Sequence, residues 1–177
     1  PANTTASILL DQGELTNAYP VLTASGGAGA RMMLTYAESL CDAEGNKGDR
    51  NAVDGKTIRG VTDTIVFDGG TERQFSPLWW RTFRYLQLDI TTGAEPLALQ
   101  DVSSIFTAYP MQQRAGFASD HDWIDPIWEI DWRGLRLSAY DTYMDTPYWE
   151  QLQYVGDTRI EAMVTLYNAG DDRLMRN

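Results

Sequence analysis

Tyr85-Leu86-Gln87-Leu88-Asp89-Ile90 closes a longer run, Gln74-Phe-Ser-Pro-Leu-Trp79-Trp80-Arg81-Thr-Phe83-Arg84, and its reading decides the fold of the longer part of the chain. Tyr85, Gln87 and Asp89 alternate with Arg84, Leu86, Leu88 and Ile90, the period of two expected of a strand with one buried face. Thr91-Thr-Gly93 breaks the pattern. Working outward, runs of the same kind recur at Ile8-Leu9-Leu10, from Ala30 to Leu40 behind Gly26-Gly27-Ala28-Gly29, from Ile58 to Val61, from Thr64 to Phe67 and from Leu97 to Thr107. Asp42 to Gly48 reads as a loop, and Asp68-Gly69-Gly70 as a hairpin turn. Roughly six to eight short strands with no helical period between them predict an antiparallel β-sandwich over residues 1–117.

After Phe117 the period changes. Ser119, Asp120 and Asp122 supply capping oxygens, and Pro126 lies where a first helical turn tolerates it. Ile124, Ile127, Trp128, Ile130, Leu135 and Leu137 recur at steps of three and four, predicting a helix over 123–140. A second helix begins near Asp157, with Asp157 or its neighbour as cap, and stops at Ala169-Gly170; Arg173 to Asn177 could begin a third. The fold class is thus mixed: β first, then an α domain over residues 118–177. So few helices with such wide apolar faces cannot bury them alone, so further residues are expected after Asn177. Pro rather than Met at position 1 predicts a chain that begins after processing or within a longer polypeptide.

The 177 residues carry 25 Asp and Glu against 14 Lys and Arg, a formal net charge of −11. With a mean hydropathy of −0.37, the composition is that of a soluble globular protein. No nucleic-acid partner is expected, because phosphate neutralisation needs clustered cations and here they are scattered. No apolar run approaches the roughly 20 residues that span a bilayer, so no membrane partner is expected. Cys41, the single cysteine, excludes an intrachain disulfide and reads as a small buried residue. Gly55-Lys56-Thr57 ends like a phosphate-binding loop, but Arg50 stands where that motif needs its first glycine. His121, the only histidine, sits at a helix start and reads as exposed.

The densest chemistry lies between the two helices. Asp141, Asp145, Glu150 and Asp157 are interleaved with Tyr143, Tyr148, Trp149 and Tyr154, with no Lys or Arg among them. Crowded carboxylates raise one another's pKa, and apolar rings raise it further, as a proton-donating acid at neutral pH requires. Aromatic faces beside carboxylates also suit a sugar ring. Pro147 predicts a turn here. The plainer reading is a solvated inter-helix turn, with one or two of the rings serving as core. No spacing fits a calcium loop, so neither metal nor cofactor is expected.

Asp145-Thr-Pro147-Tyr-Trp-Glu150, followed by Tyr154-Val-Gly156-Asp157, resembles the Asp-Cys-Pro-x-Arg-Glu…Trp-x-Gly-Asp signature of bacterial α-L-rhamnosidases, glycoside hydrolase family 78. Trp80-Arg-Thr-Phe83-Arg84-Tyr85-Leu-Gln-Leu resembles the Phe-Arg-Tyr strand of the sandwich that precedes the catalytic domain there, and Ile127-Trp128-Glu-Ile-Asp-Trp-Arg133 the first helix of its (α/α)6 barrel. The resemblance implies a fragment: a β-sandwich followed by the opening helices of an (α/α)6 barrel, from an enzyme that removes terminal α-L-rhamnose with inversion. It implies Glu150 as general acid and Asp145 and Asp157 as sugar-hydroxyl ligands; Trp149, as a sugar-facing wall, and Tyr154 are read as further substrate-binding residues. Thr146, Trp149 and Tyr154 replace the signature's Cys, Arg and Trp.

An inverting pair stands roughly 6.5–9.5 Å apart, and in the family the general base is a Glu much later in the barrel. The implied partners are therefore a rhamnose-containing carbohydrate and the rest of the barrel, as further residues or as another chain. A full barrel needs about 300 more residues at about 25 per helix and connection. Two other readings fit the residues: a non-catalytic carbohydrate-binding module using Trp79, Trp80, Phe83 and Tyr85, or a structural piece completing a barrel with a second chain. Core packing is the plainer role for those four rings. The compartment is left open between cytoplasm and periplasm.

Overall fold

The computed structural model describes residues 1–176, which form two compact units, Pro1–Phe106 and a second beginning at Thr107. The first is a sheet of β1 (Thr5–Gly26), β2 (Arg31–Ala37), β3 (Val61–Val66), β4 (Arg73–Phe75), β5 (Arg81–Thr91) and β6 (Leu97–Phe106). The order is β3-β2-β5-β1-β4, with β6 also paired to β1, and every pairing is antiparallel. The alternation in β5 is realised, with Leu86, Leu88 and Ile90 buried and Gln87 and Asp89 half-buried. Leu88 lies between Leu34 of β2 and Ile8 of β1. Leu22, Met32, Leu34, Tyr36, Phe83 and Leu88 anchor one core, and Leu97, Leu99 and Val102 of β6 pack against it. The sheet therefore folds over its own apolar face, in the manner of a sandwich.

Several local expectations are corrected. β1 has 22 residues rather than the three of Ile8–Leu10. Asp11-Gln-Gly13-Glu14 forms a bulge within that strand, and the register against β5 shifts between Asp11 and Thr16. Gly13 adopts φ +85° there, and its N–H donates to Asp11 Oδ1 at 2.8 Å. Arg84 donates to the same carboxylate at 2.9 and 3.1 Å. Thus Arg84 serves the bulge instead of sharing the buried row with Leu86 and Leu88. Tyr85 alternates with the Leu86 row yet is fully buried, in keeping with a core role, and donates to the Arg50 carbonyl at 2.8 Å.

Past the bulge, β1 pairs with β5 again over Thr16–Ala18, and from Ala18 to Gly26 it also pairs with β6. The strands expected at 58–61 and 64–67 are one, Val61–Val66, while Thr57 bridges Cys41 instead. Asp68-Gly69-Gly70 does not close a hairpin, because β3 pairs with β2 and β4 with β1. It carries the chain between opposite ends of the strand order.

The second unit contains α1 (Ile124–Leu137), α2 (Val155–Ala169) and a 3-10 turn over Leu174–Arg176 where a third helix was expected to start. Pro126 lies in the first turn of α1. None of the expected caps acts as one: Trp123 holds the cap position, and Ser119 instead accepts from the His121 N–H at 3.1 Å. α2 starts two residues before Asp157, with Tyr154 as cap. Asp157 consequently sits in the first turn, where the helix dipole favours an anion. Gly170, in the left-handed region at φ +62°, ends the helix.

The core of this unit is small: Met111, Leu135, Ala139, Tyr143 and Leu174. Tyr143 is fully buried and donates to Thr165 Oγ1 at 2.9 Å. Ile127, Ile130, Ile160, Met163 and Tyr167 remain exposed. Among the described residues no helix is long and apolar enough to cross a membrane.

Candidate active site

The loop joining α1 to α2 closes on itself. Asp145 donates its N–H to the Leu152 carbonyl at 2.9 Å, and its Oδ1 accepts from the Leu152 N–H at 3.2 Å. Inside that clamp, the Gln151 N–H donates to the Thr146 carbonyl at 2.9 Å and the Gln151 side chain to the Pro147 carbonyl at 2.8 Å. The Glu150 N–H donates to Thr146 Oγ1 at 3.1 Å. Thr146 thus supports the turn that Pro147 begins. Gln151 is held at φ +54°, a conformation that costs a non-glycine residue about 1 kcal/mol and persists only where neighbours enforce it. The result is a short, self-bonded loop that presents Trp149 and Glu150 to solvent.

Glu150 accepts a hydrogen bond from the Tyr154 hydroxyl at 3.2 Å. That bond, and the negative charges of Glu150, Asp145 and Asp157, raise the Tyr154 phenol above its ordinary value. Burial works to raise the Asp145 carboxyl, but the backbone N–H groups of Thr146 and Leu152 and a hydrogen bond with Glu150 outweigh it and hold Asp145 low. The carboxyl most affected by the crowding is Glu161, pushed up to about 8 by burial first and then by the charges of Asp157 and Asp145. Its Oε2 is buried with no hydrogen-bond partner among the described residues.

Asp145, Glu150, Tyr154 and Asp157 are thus electrostatically one cluster. Trp149 is 65 % exposed and meets the buried Tyr148 ring edge-to-face, with centroids 4.7 Å apart. Tyr143 and Tyr148 are core, as expected of one or two of these rings. Of the four rings in the sandwich, Trp80, Phe83 and Tyr85 are buried and Trp79 is exposed. Cys41 is buried and His121 exposed, as read from sequence. No group of three or more His, Cys, Asp or Glu among the described residues is arranged to hold a metal.

The family model of the bacterial α-L-rhamnosidase concanavalin-like domain matches residues 3–108. The chain belongs to this family. No curated protein sequence matches it significantly. Among solved structures, this rhamnosidase-type chain resembles a GH78 family rhamnosidase of Bacillus sp. GL1, with TM-score 0.78, 23% identity and coverage of 96% of this chain and 17% of that one. It also resembles a rhamnosidase from Klebsiella oxytoca solved with rhamnose bound, with TM-score 0.79, 15% identity and coverage of 99% and 35%. At these identities the likeness is one of fold. The chain spans well under half the length of either protein.

The concanavalin-like match ends ahead of α1, so the carboxylate cluster of this rhamnosidase-family chain lies outside it. The fold likeness to the two rhamnosidases covers both units. Sequence reasoning missed Glu161. The signal was available: Asp157 and Glu161 are four apart, hence on one helical face, and no cation stands on that face one turn away.

Proposed function

We propose that this chain is part of an inverting glycoside hydrolase that removes terminal α-L-rhamnose, with Glu150 as general acid and a base outside these 177 residues. The observation that carries the reading is the self-bonded loop, which holds Glu150 in solvent between Asp145 and the Tyr154 hydroxyl. Asp145 is held low beside it, which suits Asp145 to accepting hydrogen bonds and leaves the role of proton donor to Glu150 in this reading. In this mechanism Glu150 protonates that oxygen as the C–O bond breaks. Asp145 and Asp157 accept hydrogen bonds from the sugar hydroxyls, Trp149 faces the apolar side of the ring, and Tyr154 orients Glu150. A carboxylate elsewhere in the barrel takes a proton from the attacking water.

The α unit, residues 118–177 beyond the sandwich of 1–117, then serves as the opening helices of an (α/α)6 barrel. Exposed Ile127, Ile130, Ile160 and Tyr167 support that role, because further helices or a second chain would cover them. Supporting it too is the small share that the chain represents of the two rhamnosidases.

The test is hydrolysis of aryl α-L-rhamnosides by the longest polypeptide containing this chain. Glu150→Gln is expected to lower kcat on poor leaving groups by about 10²–10⁴-fold, the usual worth of general acid catalysis, and far less on activated ones. Equal turnover by variant and parent on both would refute the assignment.

A further inference from the structure

Beyond the C-terminal end of α2 the helical unit carries a small polar cleft of about 320 Å³, lined by Pro110, Gln112, Arg114, Ala169, Asp171 and Arg173. Its two walls are fixed to the same core, because Met111 lies next to Gln112 and Leu174 next to Arg173, and both are buried in one cluster. The Arg114 and Ala115 N–H groups donate to the Asn168 carbonyl, at 2.8 and 2.9 Å, which ties the first wall to the helix end. On the second wall Arg173 grips Asp171 through Nε to Oδ1 at 2.9 Å and Nη2 to Oδ2 at 2.6 Å. Its guanidinium also lies over the Tyr109 ring, 5.6 Å from the centroid. Those contacts hold Arg173 in one orientation and leave its Nη1 hydrogens unused among the described residues.

Arg114 differs from Arg173. Its guanidinium makes no hydrogen bond or ion pair with any described residue. An arginine near a helix C-terminus ordinarily serves the last carbonyls. Here the Thr165 and Leu166 carbonyls accept from the Gly170 N–H and the Asn168 carbonyl from Arg114 and Ala115, so backbone donors fill that task. The same pairing blunts the negative end of the helix, which would otherwise oppose an anion. Asp171 is committed elsewhere, with 13% of its side-chain surface left. Its Oδ1 accepts from the Arg173 N–H and Nε, and its Oδ2 from Arg173 Nη2 and, at 3.4 Å, from the Tyr109 hydroxyl. Asp172 pairs with Arg176. One guanidinium is thus left over at this end of a chain whose formal net charge is −11. The Gln112 amide, also without a described partner, adds a neutral donor. The cleft therefore offers donors and positive charge, and its carboxylate oxygens are already occupied. A cation fits worse than an oxyanion, which a guanidinium meets with two parallel bonds.

We propose that this cleft is an oxyanion-binding site, in which Arg114, Arg173 and Gln112 hold the carboxylate of a sugar acid or a phosphate group. Asp157, in the first turn of α2, lies about 20 Å away by helix length, so the site is separate from the carboxylate cluster. It stands whether or not Glu150 is a general acid.

The test is titration calorimetry on the longest polypeptide containing this chain, with sodium D-glucuronate, inorganic phosphate, D-glucose and sodium chloride as probes. Glucuronate or phosphate should bind, and glucose and chloride should not. Binding of glucuronate alone would support the site and identify its ligand as a sugar acid. Binding of phosphate, alone or as well as glucuronate, would support it and identify the ligand as the oxyanion itself. Arg114→Gln should weaken binding by about tenfold or more, and Arg114→Lys should recover part of the loss. Neither variant should change the melting temperature, because the side chain has no described partner to lose. No binding of either anion would overturn the proposal, as would glucose binding as tightly as glucuronate, or anion binding that Arg114→Gln leaves intact. A lower melting temperature for Arg114→Gln without anion binding would overturn it as well. In that case Arg114 pairs with an acid elsewhere in the longer polypeptide.

Discussion

The two units differ in how completely each satisfies its own apolar residues. Pro1–Phe106 encloses a core of twelve buried residues drawn from strands far apart in sequence. Among the described residues the helical unit's core cluster has five, and Val155 and Tyr167 are 91% and 77% exposed. The contrast follows from geometry. A sheet that bends at a bulge can fold its apolar face onto itself, whereas a helix pair has only one line of contact and exposes the remainder of each stripe. One unit closes a large core with its own strands, and the other leaves exposed apolar side chains along both of its helices.

The sharpest way to break this contrast is in the core of the sheet. Leu88→Ala removes a fully buried side chain between β1 and β2, and should cost about 3–4 kcal/mol. Hydrogen exchange of the β5 amides as a function of urea would read it, and a loss below 1 kcal/mol would mean that the sandwich core is loosely packed.

Glu161→Gln should act in the opposite sense. Between its ordinary value of 4.5 and about 8, the folded chain keeps the Glu161 proton and the unfolded chain has released it. Stability therefore falls as pH rises through that window. The variant cannot ionise, so at pH 8 it should melt higher, by roughly 2–4 °C for about 1 kcal/mol once screening of a half-exposed group is allowed for. Near pH 4, below both values, the two proteins should melt alike. Equal melting at both pH values would show that Glu161 is solvated.

The smallest effect sharpens the comparison. Ile160 is 66% exposed, so Ile160→Ser in this chain should change stability by no more than about 0.5 kcal/mol. In a longer polypeptide whose added helices bury that face, the same change should cost about 2 kcal/mol, measured by denaturant midpoint. Equal costs in the two would argue against the barrel.

Much of this was legible beforehand. The alternation of Leu86, Leu88 and Ile90 and the three-four spacing of Ile124, Ile127 and Trp128 were enough for the change from strand to helix near residue 120. The acids between the helices were legible as a crowd, and Asp145-Thr-Pro147 as the start of a turn. Less legible was the middle of β1. Asp11 and Gly13 carry a turn's chemistry, and only Arg84, 73 positions away, shows that the strand continues through a bulge. Glu161 was legible only as a like-charged neighbour of Asp157 one turn away; its burial, the larger cause of its raised pKa, was not.

What the sequence alone determined is the part governed by neighbours along the chain: period, turn chemistry, charge, and the proximity of Asp145, Glu150, Tyr154 and Asp157. Tertiary structure decided which pairings those elements made. It sent Asp68-Gly69-Gly70 across the sheet instead of into a hairpin, put Tyr85 under the Arg50 loop, and placed the raised pKa on Glu161. The reason is that pairing partners, dielectric surroundings and the charges felt by a carboxyl are set by groups distant in sequence, which no local pattern encodes.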